Sequence, residues 1–128
     1  MKIEISIGEI VDKLSILEIK KNNITDSEKL KNIIKEYNYL LDVVENGLKF
    51  STNSELYSEI LSINKKLWSI EDNIRDKERN SEFDDDFISI ARSVYYINDD
   101  RADVKKRINV EYNSDFVEEK SYNEYKVK

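Results

Sequence analysis

Four stretches of the chain bring apolar residues back at alternating intervals of three and four, the spacing of helices that bury one face. In the last and longest, Phe87, Ile90, Val94 and Ile97 lead on to Val104 and Ile108. The position between them that calls for an apolar side chain is Arg101. At about 100° per residue, Asn98 and Lys105 fall within about 40° of the same stripe. A guanidinium keeps its charge at any ordinary pH, so this inward face must meet carboxylates, an anionic ligand or a partner chain.

The other stretches have recognisable starts. Ser6 as N-cap, Glu9 three residues on and Ile5 against Ile10 make a capping box with a hydrophobic staple. Ile7, Ile10, Val11, Leu14 and Leu17 form one apolar face of this first helix, while Ile16 and Ile19 lie on the opposite side. That predicts protein contact on two sides, the second being the C-terminal tail or another subunit. Thr25 and Glu28 make a second box ahead of Leu30, Ile33, Ile34, Tyr37, Leu40, Leu41, Val44 and Leu48, with Gly47 placed for a left-handed C-cap. Thr52 and Glu55 are spaced to open a third helix, whose Leu56, Ile60, Ile63, Leu67, Ile70 and Ile74 repeat as a heptad seam. Glu82, Asp84, Asp85 and Asp86 precede the fourth helix, where their charge opposes the macrodipole; their spacing and the absence of glycine do not match a calcium loop. From Asn113 the helical signal fades, and Phe116, Tyr122 and Tyr125 give the tail enough apolar surface to dock but not to fold alone.

The pattern predicts an all-α fold: a four-helix bundle-like domain of long antiparallel helices over residues 1–112. Residues 113–128 form a short C-terminal tail, docked on the bundle or on a neighbouring subunit.

Composition narrows the chemistry. The 128 residues are one domain's worth, with no proline and two glycines to interrupt long helices. There is no cysteine and no histidine, which removes disulfides, thiolate nucleophiles, thiolate metal sites and the usual general base. Net charge is −6, with acidic and basic residues interspersed, which argues against a nucleic-acid polymer or an anionic membrane as partner. No apolar run reaches the length of a signal peptide or a membrane span, so the expected location is cytoplasmic.

Three readings of the inward polar residues follow. Glu71 and Glu78 lie near the seam of the third helix, Asn64 and Arg75 flank it on the side of Trp68, and Glu18 sits near the main face of the first helix. In the first reading, Glu71 or Glu78 pairs with Arg101 and Lys105 in a buried ion network, and the protein is an interaction scaffold. In the second, Arg101, Lys105 and Arg75 hold the phosphates of a small anionic ligand, Asn98 and Asn64 meet a base or sugar edge, and Trp68 or Tyr95 stacks on the base. Glu71, Glu78 and Glu18 then orient the cations. The third is magnesium-dependent nucleotide hydrolysis on helical carboxylate pairs. Glu9 and Asp12 have the spacing, but the second pair fails because Arg75 stands where a carboxylate is needed. The expectation is the second reading: a non-enzymatic, oligomeric protein that binds a nucleotide-like ligand, with no catalytic residue, metal or cofactor.

The runs EISIGEIVDKLSILEIK (4–20), LWSIEDNIR (67–75) and ARSVY (91–95), followed by Asn98-Asp99 and Arg101-Ala102, resemble a small helical family of unknown function encoded by bacteria and phages. The similarity extends to about Tyr122. It implies a compact helical fold and brings no activity, cofactor or partner. For a phage source, small size and the lack of catalytic residues would suit a counter-defence protein that traps a host signalling nucleotide.

Overall fold

The computed structural model describes residues 1–119. Four helices, α1 (Ile7–Asn23), α2 (Ser27–Asp42), α3 (Glu55–Arg79) and α4 (Asp85–Glu111), pack into an all-α bundle, with no strand among the described residues. None of them is long and apolar enough to cross a membrane. Tyr122 and Tyr125 of the expected tail lie outside the described residues.

Each helix starts on a side chain that accepts a free backbone N–H, with two shifts from the expected residues. Ser6 accepts from Glu9 N at 3.1 Å, as its spacing predicts. At α2 the cap is Asp26 instead of Thr25, accepting from Lys29 N at 2.9 Å, because a carboxylate opposes the helix dipole better than a hydroxyl. At α3 it is Ser54 instead of Thr52. In the 51–54 turn the Ser54 hydroxyl donates to Ser51 O at 2.7 Å, and Ser54 Oγ accepts from Tyr57 N at 3.3 Å. Asp84 caps α4 through Phe87 N at 2.9 Å. Gly47 is not the left-handed residue. The end of α2 widens into a π turn over Val43–Gly47, closed by Leu48 N on Val43 O at 2.9 Å, and the positive φ moves on to Lys49 at 57°.

α1 is the central element and packs against each of the other three helices. This accounts for its two apolar sides within a single chain, where the sequence pointed to a tail or a second subunit. A lone bundle offers two faces when one helix lies between a hairpin and a fourth helix. Ile19, on the side opposite the main face, is 3% exposed. Lys13 pairs with Glu36 across α1 and α2, and Arg107 with Glu59 across α4 and α3.

The core gathers at one end. Val11, Leu14, Val44, Phe50, Leu56, Tyr57, Ile60, Val104 and Ile108 form it, with Phe50 stacked at a tilt on Tyr112. Buried residues of α3 stop at Asn64 and those of α4 begin at Val104. α3 and α4, each about 37–40 Å long, outreach α1 at about 25 Å. Between residues 65 and 103 nothing on the hairpin is fully buried, although the apolar repeat runs on through both helices up to Arg101.

Candidate functional site

α4 meets α1 through three polar side chains one turn apart: Asn109, Lys105 and Arg101. Asn109 is fully buried and its Oδ1 accepts from Gly8 N at 2.6 Å. At that crossing a Cβ on residue 8 would stand 2.5 Å from the carbonyl oxygen of Lys105, so glycine is what lets the helices approach. Lys105 Nζ reaches Glu9 Oε2 at 2.6 Å and Glu118 Oε2 at 3.0 Å. Burial pushes the Lys105 ammonium towards its neutral form, but the hydrogen bonds to Glu9 and Glu118 outweigh it and its pKa ends above the usual lysine value.

Arg101 is matched by Asp12. The guanidinium donates from Nε to Asp12 Oδ1 at 2.9 Å and from Nη2 to Oδ2, a two-point pair on a carboxylate that is 1% exposed. Asn64 Nδ2 donates to Asp12 Oδ1 at 2.9 Å and to Ser15 Oγ at 2.7 Å, and the Ser15 hydroxyl donates to Asp12 O at 2.7 Å. Both carboxylate oxygens thus have donors, which is the condition for tolerating the charge in the core. The hydrogen bonds to Asp12 raise the Arg101 pKa against the opposing effect of burial, so the cation is permanent.

Beyond Arg101 the ladder ends and a cleft of about 500 Å³ opens between α1 and the α3–α4 hairpin. Ile16, Ile19, Leu67 and Val94 give it apolar lining, and Trp68, Glu71, Arg75, Asn98 and Arg101 line it as well, with Asn64 and Asp72. Five of the seven expected ligand residues, Arg101, Asn98, Arg75, Trp68 and Asn64, are therefore brought together. Lys105 is not among them, because Glu9 and Glu118 hold it on the far side of Arg101. Tyr95 is 58% exposed and lies outside the lining, so of the two aromatic residues expected to stack only Trp68 lines the cleft. Asn64 is 5% exposed, and its amide nitrogen is engaged with Asp12 and Ser15.

The expected carboxylate partners of Arg101 are elsewhere. Glu71 pairs with Arg75 one turn along α3 at 2.7 Å. Glu78 is exposed near the end of α3. Glu18 accepts from the buried Tyr57 hydroxyl at 3.2 Å, which together with the stronger effect of burial raises the Tyr57 pKa. A legible signal for Asp12 existed: Gly8, Asp12 and Ser15 repeat at four and three along α1, a stripe of small and polar residues suited to a close helix crossing. Glu9 and Asp12, the pair with metal-binding spacing, are occupied by Lys105 and Arg101. Among the described residues no group of three or more acidic side chains is placed to hold a metal ion. Glu9 does not complete its capping box either, since its carboxylate goes to Lys105.

A family model described as a family of unknown function (DUF6165) matches residues 1–127. No curated protein and no solved structure matches the chain.

Proposed function

The chain belongs to this family of unknown function, and from its own geometry we propose that it is a non-enzymatic binding protein whose cleft takes a small planar anionic ligand of the nucleotide class. The observation that carries this reading is one cleft of ligand size lined by both Trp68 and Arg101, together with Arg75 and Asn98. The indole offers a face for a base. Arg101 uses Nε and Nη2 on Asp12, so Nη1 is the edge left for a phosphate oxygen. Arg75 is held only by an exposed pair one helical turn away, which a ligand displaces at little cost.

The charge balance narrows the ligand. Arg75 and Arg101 on the lining face Glu71 and Asp72, with Asp12 behind Arg101, so the cleft is not strongly positive. Stacking and directed hydrogen bonds then matter more than bulk attraction, which favours a nucleoside monophosphate or a cyclic nucleotide over a triphosphate. A thermal-shift screen of mono-, cyclic and triphosphate nucleotides against the full chain tests this. Binding at 100 times Kd adds about 2.7 kcal/mol to stability by mass action, and Trp68→Ala or Arg75→Gln should abolish the shift while leaving the unliganded protein folded. No shift with any nucleotide at millimolar concentration overturns the proposal.

A second reading, an interaction scaffold, is favoured by one specific observation: Asp12, unexpected from the sequence, neutralises Arg101 without any ligand. Under that reading the shifts are absent while Arg101→Ala still destabilises the fold.

A further inference from the structure

α3 and α4 run in opposite directions past the cleft, since Glu59 meets Arg107 while Asn64 shares Asp12 Oδ1 with Arg101. The Arg101 guanidinium is therefore level with Asn64. From there the lining residues of α3 follow turn by turn: Trp68 about 6 Å on, Glu71 about 4.5 Å further, and Arg75 about 6 Å beyond that. At about 100° per residue, Asn64, Trp68, Glu71 and Arg75 share an arc of about 60°, so they address the cleft in sequence. The order along it is a cation at Arg101, an aromatic face, a carboxylate and a second cation. The last two are paired, Glu71 Oε2 standing 2.7 Å from Arg75 Nη1, and their side chains are 47% and 64% exposed, so both can turn onto a ligand.

We infer, resting on the nucleotide reading proposed above, that this cleft selects guanine among the bases and that Glu71 sets the choice. With the phosphate on Arg101 and the ring on Trp68, the Watson–Crick edge comes to Glu71, because phosphate, ring face and base edge follow in that order along an extended nucleoside monophosphate. An ionised carboxylate only accepts hydrogen bonds. Guanine is the one common base that turns two adjacent donors, N1–H and the N2 amino group, towards such an acceptor. Adenine and cytosine set a ring-nitrogen acceptor beside the amino group, and uracil flanks its single N–H with two carbonyls, so each opposes a lone pair to the carboxylate. Beside its two donors guanine carries the O6 acceptor, which a guanidinium satisfies. Arg75 is the guanidinium already next to Glu71. The pair held by α3 in the free protein is thus complementary, acceptor and donor, to the guanine edge. An exposed pair costs little to part, and both halves regain charge-assisted hydrogen bonds on the same base.

The test measures Kd by Trp68 fluorescence for guanosine, inosine and adenosine monophosphates, on the full chain and on its Glu71→Gln variant. In the parent chain the guanosine nucleotide should bind at least about tenfold more tightly than the adenosine nucleotide. The inosine nucleotide, which keeps N1–H and O6 but lacks the N2 amino group, should fall between them. Glu71→Gln exchanges a pure acceptor for one acceptor and one donor, the pattern that matches adenine N6 and N1. The guanine preference should then disappear, with the adenosine nucleotide bound at least as tightly as by the parent. This near-isosteric change at a half-exposed site leaves the fold in place, and an unchanged melting temperature without ligand verifies it. Equal affinity for guanosine and adenosine nucleotides in the parent, or equal weakening of all three in Glu71→Gln, overturns the assignment of guanine to Glu71 and leaves the nucleotide reading standing. No binding of any of the three at millimolar concentration overturns both.

Discussion

The two ends of the α3–α4 hairpin carry the same apolar repeat and meet different fates. At the end covered by α1, Leu56, Ile60, Val104 and Ile108 are buried, and the polar residues among them are tied to α1 by Asp12, Glu9 and Gly8. At the other end, Leu67, Ile70, Ile74, Phe87, Ile90, Val94 and Ile97 are each only partly covered. Two helices shield their shared seam from one side at a time, whereas a third helix closes it. Periodicity sets which face is apolar, and the reach of α1 sets how much of that face leaves water. The cleft lies at the boundary, beyond the Asp12–Arg101 pair, where the hairpin runs on.

The largest expected effect breaks the covered end. Asp12→Ala strands a half-buried guanidinium and removes an acceptor from Asn64, and should cost about 3–5 kcal/mol in urea unfolding. The double change Asp12→Leu/Arg101→Met should recover most of that loss, since it removes both charges at once. A cost below about 1 kcal/mol for Asp12→Ala would mean that the pair does not organise this end.

Paired truncations sharpen the contrast along a single seam. Ile60→Ala should destabilise by about 3 kcal/mol and Ile74→Ala by about 1 kcal/mol, because the first empties a closed core and the second a surface already half in water. Equal costs would show that the far end is closed by something else in solution. At the helix crossing, Gly8→Ala sets a methyl against the Lys105 carbonyl and should cost about 2 kcal/mol, measured by the same unfolding midpoint.

The smallest effect is a pH dependence to which the covered end contributes. Lys105 and Tyr57 both have pKa values raised by folding, so the folded chain keeps protons that the unfolded chain releases at high pH. Their contribution is complete below the ordinary range of these groups, about pH 10, and is lost as pH rises through the folded values. Urea midpoints should be level from neutral pH to about pH 9 and fall above about pH 10, less steeply in Tyr57→Phe. A fall that is identical in that variant would remove Tyr57 from the account.

Much of this was legible in the sequence. The four helices, the Ser6 cap and the inward position of Arg101 follow from spacing alone, since each depends on residues within two turns of one another. The partner of Arg101 does not. Glu71 and Glu78 satisfy the same angular test as an inward carboxylate, and the choice among them and Asp12 depends on how α1 lies across the hairpin, which helical periodicity leaves open. The capping residues shifted by one or two positions for a similar reason: several neighbouring Ser, Thr and Asp side chains can accept, and the incoming loop decides between them. Trp68, Arg75, Asn98 and Arg101 converged as expected because one turn or two separates them on each of two adjacent helices. Lys105 and Tyr95 fell outside the cleft because one is held by Glu9 and Glu118 and the other lies on an exposed face of α4.

Trp68 is the only tryptophan of the chain and lines the cleft, so its fluorescence tests the proposed function most directly. Titration of the full protein with adenosine and guanosine monophosphates and their cyclic forms should give a saturable quench for at least one of them, with a weaker response to the triphosphate. The quench should be lost in Arg75→Gln, which leaves the core untouched. An emission that shows no saturable change with any of these nucleotides up to millimolar concentration would contradict the account, and would leave Asp12 and Arg101 as a purely structural pair.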